Sequence, residues 1–280
     1  MKVIFVLLGL FVSCALSIPA SAHFQMIYTP DIALEKGGKI DLKLVFTHPF
    51  DAGHTMDMGV PLEFYVINQR GEKGKPQKTD LMSSLKPITW KSLTNSGKAY
   101  ETAPIKVRSM GDYVFCLVPE PYYEAEEDIY IQQITKMVLN VAGIPGNWAD
   151  PIGLPTEIVP LDKPYALWTG CVFRGIVMSN GKPVPGADIE VEYVNHVPEM
   201  NNNCFAEKAN AEAPQDSFVT MGIKADEHGM FTFGIPKAGL WGFCALGVGP
   251  DKVYNGKEFS QDAVIWIKAV DMNTKPNQSF

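Results

Sequence analysis

The sequence predicts an all-β fold of two antiparallel β-sandwich domains, the first of them immunoglobulin-like. Three observations carry that expectation. Apolar and polar residues alternate with a period of two in run after run, as half-buried strands require. Turn-forming dipeptides punctuate the runs. No long stretch holds the spacing of an amphipathic helix.

The first segment does not belong to that fold. Lys2 precedes an apolar run over residues 3–12, broken only by Gly9, and small residues then lead to Ala20, Ser21 and Ala22. This is the anatomy of a cleaved secretory signal over residues 1–22, too short to span a bilayer. Cys14 lies inside it, and the residues before it lack the upstream leucine of a lipoprotein signal. A cut after Ala22 makes His23 the first residue of a chain exported to the periplasm. Removing residues 1–22 from 280 leaves 258, a natural length for two domains. Those residues carry 23 basic and 31 acidic side chains, a balance of −8, which gives no electrostatic reason to bind nucleic acid or an anionic membrane. No later apolar stretch approaches the roughly 20 residues a membrane-spanning helix needs, so no transmembrane segment is expected in the mature chain.

Residues 23–160 read as the first sandwich. Residues 39–46 alternate polar and apolar, and residues 62–67, 103–107, 112–118 and 134–141 have strand composition. Gly37-Gly38, Arg70-Gly71, Asn95 to Gly97 and Met110-Gly111 supply the turns. A boundary is marked over residues 143–164, where Pro145, Pro151, Pro155, Pro160 and Pro164 mix with Gly143, Gly146 and Gly153. Residues 161–270 form the second sandwich, with strands expected at 171–178, 187–194, 230–235, 239–246 and 263–270, and residues 271–280 form a tail. The polar stretch 195–217 reads as a mobile excursion between strands. Cys116, Cys171, Cys204 and Cys244 allow two disulfides in any of three pairings outside the cytosol, with Cys171 and Cys244 the expected pair. No C-x-x-C spacing occurs, which counts against a zinc knuckle or a thioredoxin-type site.

The chemistry-bearing residues are the histidines. There are five, and His23, His48 and His54 fall close to the new terminus. A terminal His23 offers an α-amine and an imidazole from one residue, a bidentate chelate for a transition metal. His48 and His54 flank a turn that also contains Asp51, and Met56, Asp57 and Met58 follow it. The nitrogen set suits nickel(II), cobalt(II) and copper(II), whereas copper(I) would recruit the thioethers. The plainer reading makes His48 and His54 turn residues with ordinary hydrogen bonds. The acidic run Glu124, Glu126, Glu127 and Asp128 lacks the spacing of a calcium loop and reads as a solvated loop. His196, His228 and the five tryptophans read as structural. There is no phosphate loop and no G-x-S-x-G elbow.

These residues, with further motifs, resemble a known family. His23-Phe24-Gln25-Met26-Ile27, the His48-Pro49-Phe50 and Met56-Asp57-Met58 loop, Gly111-Asp112-Tyr113 and Pro121-Tyr122-Tyr123-Glu124 look like the periplasmic component of bacterial cobalt/nickel ABC-type (energy-coupling-factor) uptake systems. So do residues 154–161, 181–187, 190–193, 229–233 and 239–243. That family often carries only the label of a domain of unknown function. Residues 181–193 also look like a transthyretin-type, carboxypeptidase-regulatory sandwich. The resemblance implies a non-enzymatic carrier that captures nickel or cobalt in the periplasm and delivers it to membrane transporter subunits. As a ligand set, His23, His48 and His54 are expected, with Asp51, Met56 and Met58 in reserve. One departure stands out: members often have His-Tyr-Thr-Lys where this chain reads Gln133-Ile134-Thr135-Lys136. If that histidine is a ligand in relatives, this chain has lost it.

Two alternatives remain open. The Met56 and Met58 pair favours a periplasmic copper-binding protein or chaperone. A copper monooxygenase built on an N-terminal histidine and a second imidazole is the enzymatic alternative, and oxidisable thioethers beside it argue mildly against it. Cleavage after Ala20 would instead place His23 third, an H₂N-x-x-His terminus that also chelates copper(II) and nickel(II).

Overall fold

A computed structural model of the chain describes residues 23–272, so the signal segment 1–22 and most of the expected tail lie outside the described residues. Apart from two short 3₁₀ turns, the ordered elements are strands. The all-β sandwich architecture expected from the sequence is what the chain adopts.

Both halves share one large sheet. Its middle is formed by two long strands, Ile129–Val141 and Lys257–Val270, which pair in parallel from Tyr130 opposite Phe259 to Met137 opposite Trp266. A parallel pair cannot be closed by a tight hairpin, and here the rest of the second half lies between its members. Gly111–Val118 and Glu63–Gln69 extend this sheet on one side, and Gly239–Ala245 and Asp188–Tyr193 extend it on the other, all antiparallel. A six-stranded sheet covers the first half of it and a four-stranded sheet covers the second.

Alternate residues of Lys257–Val270 and Gly239–Ala245 therefore feed two cores. From the last long strand, Val264 and Trp266 enter the first core while Ala263, Ile265 and Ile267 enter the second. From Gly239–Ala245, Cys244 faces the first core, and Phe243 and Ala245 face the second. Both faces are buried, so the sequence there reads as continuous apolar runs rather than clean alternation.

The strands expected at 112–118, 187–194, 230–235 and 239–246 are observed within a residue or two. Three segments differ from expectation. The run 39–46 is broken: Gly38–Ile40 pairs with Ile105–Val107 in a small separate ribbon, and Lys43–Thr47 begins a new strand. The proline-rich stretch contains the strand Thr156–Pro160, which pairs with Val172–Ser179. Residues 195–217 are not merely an excursion, because His196–Glu199 and Cys204–Ala209 form a hairpin that extends the six-stranded sheet of the first half. Its root is fixed by Asn195, whose side-chain oxygen accepts from the amides of Asn210 and Ala211 at 3.0 and 2.7 Å.

The disulfide expectation is overturned. Cys116, Cys171, Cys204 and Cys244 are all free thiols. Cys171 is exposed, whereas Cys244 is wholly buried against the first core, so the expected pair sits in two different environments.

Candidate metal centre

The site lies where the first strand, Phe24–Tyr28, leaves the six-stranded sheet at its edge. That strand is buried along its whole length. It pairs with Lys43–Thr47, placing Phe24 opposite Thr47, so His23 and His48 emerge side by side at one end of the pair. Their ring centroids are 4.7 Å apart and the rings are perpendicular.

The loop 48–54 brings the third histidine back. Thr47 and Thr55 form an isolated antiparallel bridge, and the Thr47 hydroxyl donates to the His54 carbonyl at 3.2 Å. His48 and His54 are therefore the two ends of one closed loop. The loop is seated on the second half of the chain: Phe50 packs in the second core, the Phe50 amide donates to Glu192 at 3.3 Å, and the Asn195 amide donates to the Pro49 carbonyl at 3.3 Å. His54 is exposed, and its Nε2 lies 3.4 Å from the Asn95 amide nitrogen.

Sequence reasoning missed one acidic partner. Glu124, expected as part of a solvated loop, sits at the end of the short strand Tyr122–Glu124, with its Oε2 3.3 Å from His23 Nε2. Both side chains are largely covered, at 15% exposure for Glu124 and 19% for His23. Phe46 and Tyr122 wall the His23 ring, with centroids 5.6 and 6.4 Å away. Burial, then the nearby His54, lowers the His23 pKa to about 4. Burial, then His23 and His54, lowers His48 to about 4 against a smaller opposing pull from Glu124. Both imidazoles are thus neutral at neutral pH, the state in which nitrogen donates to a metal. The Tyr122 hydroxyl is raised by burial and by Glu124.

The reserve ligands have packing or polar partners of their own. Met56 is 1% exposed in the first core, and Met58, at 4%, accepts a hydrogen bond at its sulfur from the Gln25 carboxamide at 3.6 Å. Both thioethers are consumed by packing. Burial, then the nearby Asp216, raises the Asp51 pKa against a smaller opposing pull from His196. Asp57 accepts from the Lys98 amide at 2.6 Å. Gln133, the departure noted in the sequence, lies 3% exposed beneath His23 and donates to the His23 carbonyl at 2.7 Å. Among the described residues, no group of three or more His, Cys, Asp and Glu side chains is arranged to hold a metal ion. What the fold brings together is an imidazole pair, a carboxylate behind one of them, and a third imidazole within electrostatic range.

The fold and this cluster define an all-β sandwich protein with a histidine-rich sheet edge. The chain belongs to the family described as a domain of unknown function, DUF4198, which matches residues 20–249. None of the curated proteins compared matches the sequence. Among solved structures, the D0–D1 domains of intimin align at 12% identity over 88% of this chain and 100% of theirs, with a TM-score of 0.21. Rat CD4 domains 3 and 4 align at 10% identity over 82% of this chain and 94% of theirs, with a TM-score of 0.16. Bovine butyrophilin aligns at 9% identity over 86% of this chain and 96% of its own, with a TM-score of 0.17. Overlap at that level carries no argument about function.

Proposed function

We propose that the exported chain, cut after Ala22, captures nickel(II) or cobalt(II) in the periplasm and passes it to a membrane importer. The observation that carries this reading is the contact of Glu124 with His23 Nε2 at 3.3 Å. A terminal histidine chelates a metal through its α-amine and Nδ1, the nitrogens that close a six-membered ring. A carboxylate on the opposite nitrogen keeps the proton at Nε2, leaves the Nδ1 lone pair free and fixes the ring plane. His48, in ring contact with His23, supplies a second imidazole, and His54, exposed beside Asn95, would have to swing in to add a third. Cleavage supplies the further nitrogen that the side chains alone lack. An all-nitrogen set of amine and imidazoles suits nickel(II) and cobalt(II).

Isothermal titration of nickel(II) into protein beginning at His23 is expected to reveal one tight site. His23→Ala, or an uncut Ser21-Ala22 extension, should weaken it or change its stoichiometry and spectrum. Binding unaffected by His23→Ala sinks the reading.

The perpendicular His23–His48 pair with the Tyr122 ring at 6.4 Å favours a second reading, a copper(II) centre of the monooxygenase kind. Peroxide-driven oxidation of polysaccharide by the copper-loaded protein would put it first. The cuprous-chaperone alternative would call on Met56 and Met58, which pack in the first core at 1% and 4% exposure.

A further inference from the structure

Among the described residues, the strand Phe24–Tyr28 has a neighbouring strand on one side only. On its other side the backbone groups nearest the terminus still need partners, since buried amides and carbonyls are rarely left unpaired. Side chains of the large sheet meet that need. The Gln25 amide donates to Gln133 Oε1 at 2.7 Å, and the His23 carbonyl accepts from Gln133 Nε2, also at 2.7 Å. The next carbonyl, that of Gln25, accepts from Trp266 Nε1 at 2.8 Å and from the Thr135 hydroxyl at 3.4 Å. The Gln133 carboxamide therefore takes the place of an absent strand, pairing one donor and one acceptor of the chain.

The carboxamide is itself held. Its nitrogen also reaches Asp262 Oδ2 and Cys244 Sγ, each at 3.3 Å. Asp262 is anchored by the Gly247 amide at 2.7 Å and the Ser260 hydroxyl at 2.6 Å. Only one orientation of the amide satisfies all of these, since a flip would set two donors against the Gln25 N–H. Gln133, Asp262 and Cys244 are each no more than 3% exposed, so water does not compete.

We propose that Gln133 is a positioning residue for the terminal histidine: it clamps the backbone on either side of Phe24 and aims His23 at His48. The clamp stands on these hydrogen bonds, and its consequence for metal rests on the function proposed above. A signal cut after Ala22 leaves a single residue ahead of the clamp, which holds the α-amine within the chelate. A terminus free to swing would give up that preorganisation.

The test compares processed protein with Gln133→Leu, which removes both halves of the clamp, and Gln133→Glu, which keeps the acceptor for Gln25 but loses the donor to His23. Lys136→Met, on the same strand but engaged with Glu157, is the control for general destabilisation. Three quantities are read: hydrogen exchange at the Gln25 amide, the rate at which an aminopeptidase removes His23, and nickel(II) affinity. Gln133→Leu should speed exchange at the Gln25 amide and trimming of His23 about tenfold each and weaken nickel(II) by about the same factor, since each of the two orphaned groups loses one buried hydrogen bond. Gln133→Glu should leave the Gln25 amide protected while trimming and nickel(II) affinity shift. Equal changes in Gln133→Leu and Lys136→Met, or none in Gln133→Leu, overturn the clamp. If Gln133→Leu does not fold, the split pattern of Gln133→Glu decides. If the parent protein takes up no nickel(II), the metal reading falls, and exchange and trimming still judge the clamp.

Discussion

Glu124 is the sharpest place to perturb the proposed centre, because in that reading it acts on the metal only through His23. Its carboxylate lies 3.3 Å from Nε2 with both groups mostly shielded from solvent. Its other oxygen accepts from the Glu126 amide at 3.1 Å, which holds the side chain in place. Partners behind a metal-bound imidazole are worth roughly 10- to 100-fold in affinity, or about 1.4–2.8 kcal/mol. Glu124→Ala removes both the charge and the acceptor and should fall near the top of that range. Glu124→Gln keeps an oxygen to accept from Nε2–H and loses only the charge, so about tenfold is expected. Nickel(II) titration calorimetry on protein starting at His23 measures the difference, with metal-free melting curves verifying the fold. Glu124→Ala binding within twofold of the parent, or Glu124→Gln binding more weakly than Glu124→Ala, refutes the reasoning that a carboxylate sets the His23 tautomer.

Three further outcomes follow from the packing around the site. Burial pushes the Glu192 carboxyl up to about 8, so the folded chain keeps a proton that the unfolded chain releases above about 4.5; stability should fall as pH rises between those values, by on the order of 3 kcal/mol at pH 7. Glu192→Gln should flatten that fall in urea titrations from pH 5 to 8, and parallel curves for the two proteins would contradict it. A methyl group on Gly242 would meet Trp266 at 2.7 Å and Phe24 at 2.9 Å, both in the core, so Gly242→Ala should cost about 1–3 kcal/mol and loosen the terminal strand, read as faster exchange at Gln25. With Cys116, Cys171, Cys204 and Cys244 free, dithiothreitol should leave the melting temperature of protein prepared under oxidising conditions unchanged, and a drop of several degrees would indicate a disulfide.

How much of this was legible depends on which partners were local. The runs 112–118 and 239–246 announced strands because their apolar residues fill one core or two in alternation. Phe24–Tyr28 was not announced, since a strand buried along its whole length shows no period. The hairpin at 196–209 read as loop because its residues are polar, and its partner strand, Leu85–Lys91, lies far away in sequence. At the site, the approach of His48 to His54 was readable from the Pro49 to Gly53 turn between them. Glu124 was not, for nothing near it in sequence points to residue 23; the connection runs through Tyr122–Glu124 pairing with Ile129–Val141, whose Gln133 meets the terminal strand. Met56 and Met58 pack in the first core, a placement that their closeness in sequence to the histidines does not announce.

The same wiring decides how metal should affect folding. The second half contributes Glu192 and Asn195 to seat the His48 loop, and Trp266 and Asp262 to hold the terminal strand and its clamp. The two cores meet across one parallel strand pair, of which Lys257–Val270 sends alternate residues to each core and Ile129–Val141 packs its apolar residues in the first. An ion bound at His23 and His48 therefore presupposes that both halves are in place, although each of its ligands comes from the first half. Binding to the folded state alone adds about 2.7 kcal/mol at a free ion concentration of 100 Kd. That increment should appear as a rise in one cooperative transition of the whole chain, followed by tryptophan fluorescence, with Trp90 in the first core and Trp241 in the second. Two transitions, of which nickel(II) moves only the first, would mean that the halves fold independently and that the second does not support the site.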